Sequence, residues 1–274
     1  MTGAVYITPG AAIVVAALVF VYAWGARRLG GKLARERKIL FGWAMGALLV
    51  ALGPMDVIGV GQRLFFVHMM EHFMLTMVVP PLLILGTPDW MLRPWVLSRP
   101  LRPFFNLLNK PLVAFLLFTA LFVGGHDPLF LDAACHNGLV RIALHLMFIV
   151  AGLVMWWPIM SPLPEFPRLA YPYQIFYVFL LLIPMTAVAA PITLAHAVLY
   201  TWYAHGPHPL GLTPMEDQVA GGLFMWIGNG LFLMCVFSGI FFRWIQQEDG
   251  NLPGAGTPRR AQLRVVTTQP HARV

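Results

Sequence analysis

Seven apolar runs constrain this chain more than anything else in it, each near or above the roughly 20 residues that a helix needs to cross the hydrocarbon core of a bilayer. They lie at about 8–26, 39–60, 65–86, 111–129, 139–160, 172–203 and 217–245. In hydrocarbon, backbone amides must find their partners within the segment, so such runs fold as helices. The expected fold is all-α: a polytopic bundle of seven transmembrane helices forming one domain over 1–245, followed by a disordered basic tail over 246–274. Composition agrees, since 59% hydrophobic against 11% charged residues is too apolar for a soluble domain of 274 residues.

Charge gives the expected orientation. The basic cluster Arg27, Arg28, Lys32, Arg35, Arg37 and Lys38 follows the first run, and no basic residue precedes it. That arrangement fits a retained anchor with its N-terminus outside, not a cleaved signal. Threading the chain from that start puts 16 of the 18 Lys and Arg on the cytoplasmic side, leaving Arg63 and Arg141 outside. The inner half then carries +11 and the outer half −4, out of a formal +7. A basic surplus partitioned by side is a topology signal and argues against a nucleic-acid partner. The loop 87–110 mixes Trp90, Trp95, Phe104 and Phe105 with Arg93, Arg99, Arg102 and Lys110. It is expected to lie on membrane lipid at the inner surface. Pro80–Pro81, Pro184 and Pro191 should kink or end their helices. Cys135 and Cys235 form neither a disulfide framework nor a CxxC metal pattern.

Histidine carries the functional signal. Eight of the nine fall on the outer half: His68, His72, His126, His136, His145, His196, His205 and His208, with His271 in the tail. At 1.5 Å per residue, His68 and His72 lie about 5 to 10 Å below the outer end of the third span, and His145 about 9 Å below that of the fifth. Three imidazoles therefore share a level, and the first two, four residues apart, share a helix face. Polar groups in hydrocarbon are costly unless paired, ligated or wet. Three neutral nitrogens suit copper or zinc, and thioethers from Met69, Met70, Met74, Met147 and Met225 favour Cu(I). The bland alternatives are interhelical hydrogen bonds for the histidines and packing for the methionines. His126, His136, His205 and His208 form at most an outer rim, with Met215 near it.

Two further patterns stay open. His68-Met-Met-Glu71-His72 matches the HxxEH of inverted zinc peptidases, in which the glutamate activates water, so a zinc-dependent membrane hydrolase is one alternative. Glu71 can equally accept from an imidazole N–H behind the ligands. Histidines on facing helices also suit a haem or quinone protein. Glu216, Asp217 and Gln218 open the last span, where acids suit a helix N-terminus. If that helix packs beside the third and fifth, Asp217 and Gln218 would orient the histidines.

Phe66-Val-His68-Met-Met-Glu-His72, followed by Val78-Val-Pro-Pro-Leu-Leu-Ile-Leu-Gly-Thr-Pro88, resembles the signature of the bacterial CtaG-type cytochrome c oxidase assembly factors. So do His145 with Ala151-Gly-Leu-Val-Met-Trp-Trp-Pro158, Leu199-Tyr-Thr-Trp-Tyr203, and Asp217-Gln218-Val-Ala-Gly-Gly-Leu-Phe-Met-Trp226. The resemblance runs over about 60–245. It implies a non-enzymatic factor of the bacterial inner membrane that matures a haem-copper oxidase by helping to insert copper, with an oxidase subunit as acceptor and a periplasmic copper chaperone as donor. It gives His68, His72 and His145 the metal, and Asp217 and Gln218 a supporting role; from the residues themselves, Glu71, Met69, His196 and Met225 are further supporting candidates. The family commonly has Gln at the position of Glu71.

Overall fold

The computed structural model describes residues 9–61, 63–205 and 210–251, and among these no strand occurs. Among the described residues, six helices are long and apolar enough to cross a membrane: Gly10–Leu29, Arg35–Val60, Phe65–Gly86, Gly138–Met160, Tyr171–Leu194 and Pro214–Gly250. The pair Arg102–Leu108 and Pro111–Gly125 is bent by 93° and makes a seventh only if both halves belong to one span. The chain is thus a multi-pass membrane protein. Its lipid-facing side chains follow helical spacing, as with Phe176, Phe179 and Ile183, which are exposed along one stripe.

In chain order the helices are α1 (Pro9–Leu29), α2 (Arg35–Val50), α3 (Phe65–Phe73), α4 (Val79–Gly86), α5 (Asp89–Val96), α6 (Arg102–Leu108) and α7 (Pro111–Gly125). They continue as α8 (Pro128–His136), α9 (Gly138–Met160), α10 (Tyr171–Leu194), α11 (Thr201–Ala204), α12 (Pro214–Leu223) and α13 (Asn229–Asn251). Short stretches of wider π-helix extend α2 (Ala51–Met55 and Val57–Gly61), join α3 to α4 (Met74–Val78) and join α12 to α13 (Phe224–Gly228).

The α3–α4 span is central, packed by α2, α9 and α12. Two glycines allow the approach. A Cβ at Gly59 would stand 2.9 Å from the His68 backbone nitrogen, and one at Gly152 would stand 2.6 Å from the Thr76 carbonyl oxygen. The turn beneath His72 has a covalent cause. Pro80 has no N–H to return to Thr76, four residues earlier, so an α-helical bond is missing there. The backbone widens over Met74–Val78, and the buried Trp156 of α9 donates its indole N–H to that carbonyl at 3.1 Å.

Three boundaries differ from the apolar runs. α10 ends at Leu194, well short of 203, because the Gln218 amide takes up the backbone there. Its Nε2 donates to the carbonyls of Ile192 and Ala197, each at 3.3 Å, and its Oε1 accepts from Leu199 N at 2.7 Å. α7 ends at Gly125, and Asp127 caps α8 by accepting from Leu129 N and Phe130 N, with Pro128 at the first helical position. At the other end α13 runs to Asn251, so 246–251, assigned to the tail from sequence, are helical; the remainder of the tail lies outside the described residues.

Candidate functional site

The site is built on α3, whose first N–H groups have no partners within the helix. Asp217 of α12 supplies them from across the bundle. Its Oδ2 accepts from Phe65 N at 2.6 Å and its Oδ1 from Phe66 N at 3.0 Å. A carboxylate at the positive end of the helix dipole fixes the rotation of α3, hence where the next two turns point. Glu216 beside it is local in role, closing a capping box with Thr213.

On one face of α3 the fully buried His68 and the buried His72 meet at their Nε2 atoms, 2.7 Å apart. His68 Nδ1 pairs with the Tyr203 hydroxyl, which also lies 3.6 Å from Cys135 Sγ. His72 lies over Phe148, with ring centroids 4.0 Å apart, and meets His126 edge-on at 5.3 Å. His126 is set by its backbone bond: Nδ1 lies 2.7 Å from the Phe122 carbonyl, which can only accept, so the proton sits on Nδ1. In the neutral ring Nε2 is then a bare lone pair, and it is buried without a hydrogen-bond partner, as is His72 Nδ1.

Beside these rings is a void of about 10 Å³, bounded by His72, His126, Met69, Met77, Met225 and Asn229 among others. That is near the volume of one small bound atom or water. Two imidazoles and three thioethers around it make a soft, neutral donor set of the kind that suits Cu(I). Another concavity, of about 660 Å³, is at the opposite end, between the start of α10 and the end of α13, with Arg168 and Arg243 on its wall.

The neighbouring face of α3 is different. Glu71 is fully buried, and its Oε1 lies 2.8 Å from His145 Nε2 of α9, in a geometry that is an ion contact but not a formed hydrogen bond. Asp56, from the end of the α2 span, completes a trio whose ligand atoms all lie within 4.8 Å of one another. Arg141 Nε stands 3.5 Å from Asp56 Oδ1.

The imidazoles expected at one level thus divide between two groups, His68 and His72 with His126, and His145 with the carboxylates. Glu71 turns away from the His68–His72 pair, so the HxxEH residues are not arranged around one ion as in a zinc peptidase. Met69 and Met225 border the void; Met70, Met74, Met147 and Met215 are partly exposed. His196, His136 and His205 are exposed, and His208 lies outside the described residues. Sequence reasoning missed Met77 and Asp56 and placed His126 on a rim. Its position near the outer end of the fourth run, level with His68, was the available signal. Cys135 is buried, and burial pushes its thiol up to about 12.

The sequence profile of the cytochrome c oxidase caa3 assembly factors (Caa3_CtaG) matches residues 20–247. The chain belongs to the Caa3_CtaG family. Uncharacterised proteins of Mycobacterium bovis and Mycobacterium tuberculosis are each 30% identical to it over 265 residues, 87% of this chain, and one of Mycobacterium leprae is 27% identical over 235 residues, 76% of this chain. The chain spans only 34–39% of the length of these relatives. No solved structure matches it. For this Caa3_CtaG member, the match takes in α3, α9 and α12, which carry most of the polar groups just described.

Proposed function

We propose that this protein aids the maturation of a haem-copper cytochrome c oxidase in the bacterial inner membrane by holding Cu(I) at the His72–His126 chamber and passing it to an oxidase subunit. Copper is cargo in this reading and no catalytic turnover is involved. The observation that carries it is that His126, whose Nε2 is bare and buried, borders a void of about 10 Å³ together with His72 and three methionines. His68 backs His72 and is held in turn by Tyr203. Family membership supports the pathway in this reading, and the donor set supports the choice of metal.

Neutral nitrogen and thioether ligands exchange readily with those of an acceptor, so copper can leave by stepwise replacement. The charge asymmetry of the sequence supports placing the histidine-bearing end outward, towards a periplasmic copper chaperone as donor, with the arginine-bearing end on inner-leaflet lipid. A haem has no room in such a void. A hydrolase needs a base aimed at the metal, and Glu71 points to His145 instead.

The test is an anaerobic titration of the purified full-length protein with Cu(I) against a competing chelator, paired with complementation of a deletion strain. One equivalent of copper is expected, with His72→Ala and His126→Ala weakening it at least ten-fold and failing to restore copper to the oxidase. Full copper binding or full restoration by both variants would overturn the reading.

A further inference from the structure

The copper reading leaves Asp56, Glu71 and His145 without a task. They come from three helices and converge below the surface of the bundle, where isolated carboxylates are expensive to maintain. Both oxygens of Glu71, Asp56 Oδ1 and His145 Nε2 are buried without a formed hydrogen bond. Glu71 itself has no solvent exposure. A packed core would satisfy such atoms with backbone N–H groups or hydroxyls, as it does for Asp217 and Gln218 of the neighbouring α12. Here the residues face one another instead, with one ligand atom from each within 4.8 Å of the other two, and ion contacts with His145 and Arg141 in place of hydrogen bonds.

We infer that Asp56, Glu71 and His145 form a second metal site, chemically distinct from the His72–His126 chamber and selective for a divalent cation such as Zn²⁺ or Mn²⁺. Two carboxylates and one imidazole are a hard-to-borderline donor set without sulfur, which such ions prefer and Cu(I) does not. The two carboxylates supply the negative charge a divalent ion needs, while the copper chamber is neutral. Arg141 is the access group. Its side chain is 31% exposed against 14% for Asp56 and none for Glu71, so it stands on the open side and competes with the cation for Asp56. Because Glu71 lies one residue before His72, an ion here would hold the turn of α3 that presents the copper-binding imidazoles.

The inference stands independently of copper binding and is tested apart from it. Full-length protein stripped with chelator is titrated with Zn²⁺ alone, then with Mn²⁺ alone, and bound metal is counted after gel filtration. One equivalent of Zn²⁺ is expected in wild type, also after prior loading with Cu(I). Glu71→Gln and His145→Gln should each weaken it at least ten-fold, the range seen when a metal site loses a partner. Arg141→Gln should tighten it, and His72→Ala should leave it unchanged. If Glu71→Gln does not fold, Asp56→Asn and Arg141→Gln decide on the same readout. Absence of Zn²⁺ and Mn²⁺ binding in wild type, or loss of Zn²⁺ in His72→Ala, overturns the inference without touching the copper reading.

Discussion

Trp156 donates its indole N–H to the carbonyl of Thr76, 3.1 Å away, and that carbonyl is free because Pro80 cannot donate to it. The bond ties α9 to the turn of α3 just below His72. Trp156→Phe should keep the packing but leave a buried carbonyl unsatisfied, at a cost of about 1–3 kcal/mol. Thermal unfolding in detergent should register the loss, with weaker Cu(I) binding beside it. An unchanged midpoint would show that water or a neighbour replaces the indole.

Gly152 faces the same carbonyl. A methyl group there would stand 2.5 Å from Pro80 Cγ and 2.6 Å from Thr76 O, and the second of these is backbone that cannot swing aside. Gly152→Ala should destabilise by about 1–3 kcal/mol through overpacking, although alanine is the better helix former. The comparison is Gly46→Ala, where nothing lies within 4 Å of the added Cβ and stability should hold or rise slightly.

Asp217→Ala removes the acceptor for the first two N–H groups of α3. Caps and charge-assisted bonds of this kind are worth about 1–3 kcal/mol. Hydrogen exchange should quicken at Phe65 and Phe66 before it does elsewhere in α3, and Asp217→Asn should recover part of the protection. Equal protection in the alanine variant would mean that the cap is dispensable.

The seven apolar runs made the helical, membrane-crossing character of the chain legible, and the four-residue spacing put His68 and His72 on one face, because hydropathy and i, i+4 spacing are local properties. What followed from tertiary contact was not legible. α10 ends at Leu194 because Gln218, a residue of another helix, captures its last turn. Asp217 looked like a cap for its own helix and caps α3 instead. Position along a helix says nothing of azimuth, and His145 faces Glu71 rather than the His68–His72 pair. Met77 and His126 gain significance only once α3, α7 and α12 are brought around one void.

Cys135 offers a check on burial by pH. Burial favours the neutral thiol, so the folded-state value of about 12 lies above that of the unfolded chain. The resulting stabilisation is complete below the unfolded thiol's range and is lost as pH rises towards 12. At pH 8 the thiolate fraction is about 1 in 10⁴, so alkylation of Cys135 in a Cys235→Ser protein should run roughly 1,000-fold slower than that of a free thiol. The rate should climb with pH. A rate within about ten-fold of the free thiol would contradict the buried placement.

X-ray absorption at the copper edge of the Cu(I)-loaded full-length protein reads the ligands of the bound ion themselves. The His72–His126 chamber predicts one tightly bound copper with both nitrogen and sulfur in its coordination shell, the sulfur signal falling in Met225→Leu and the nitrogen signal in His126→Ala. A shell of nitrogen and oxygen alone, or a protein that retains no copper, would contradict it.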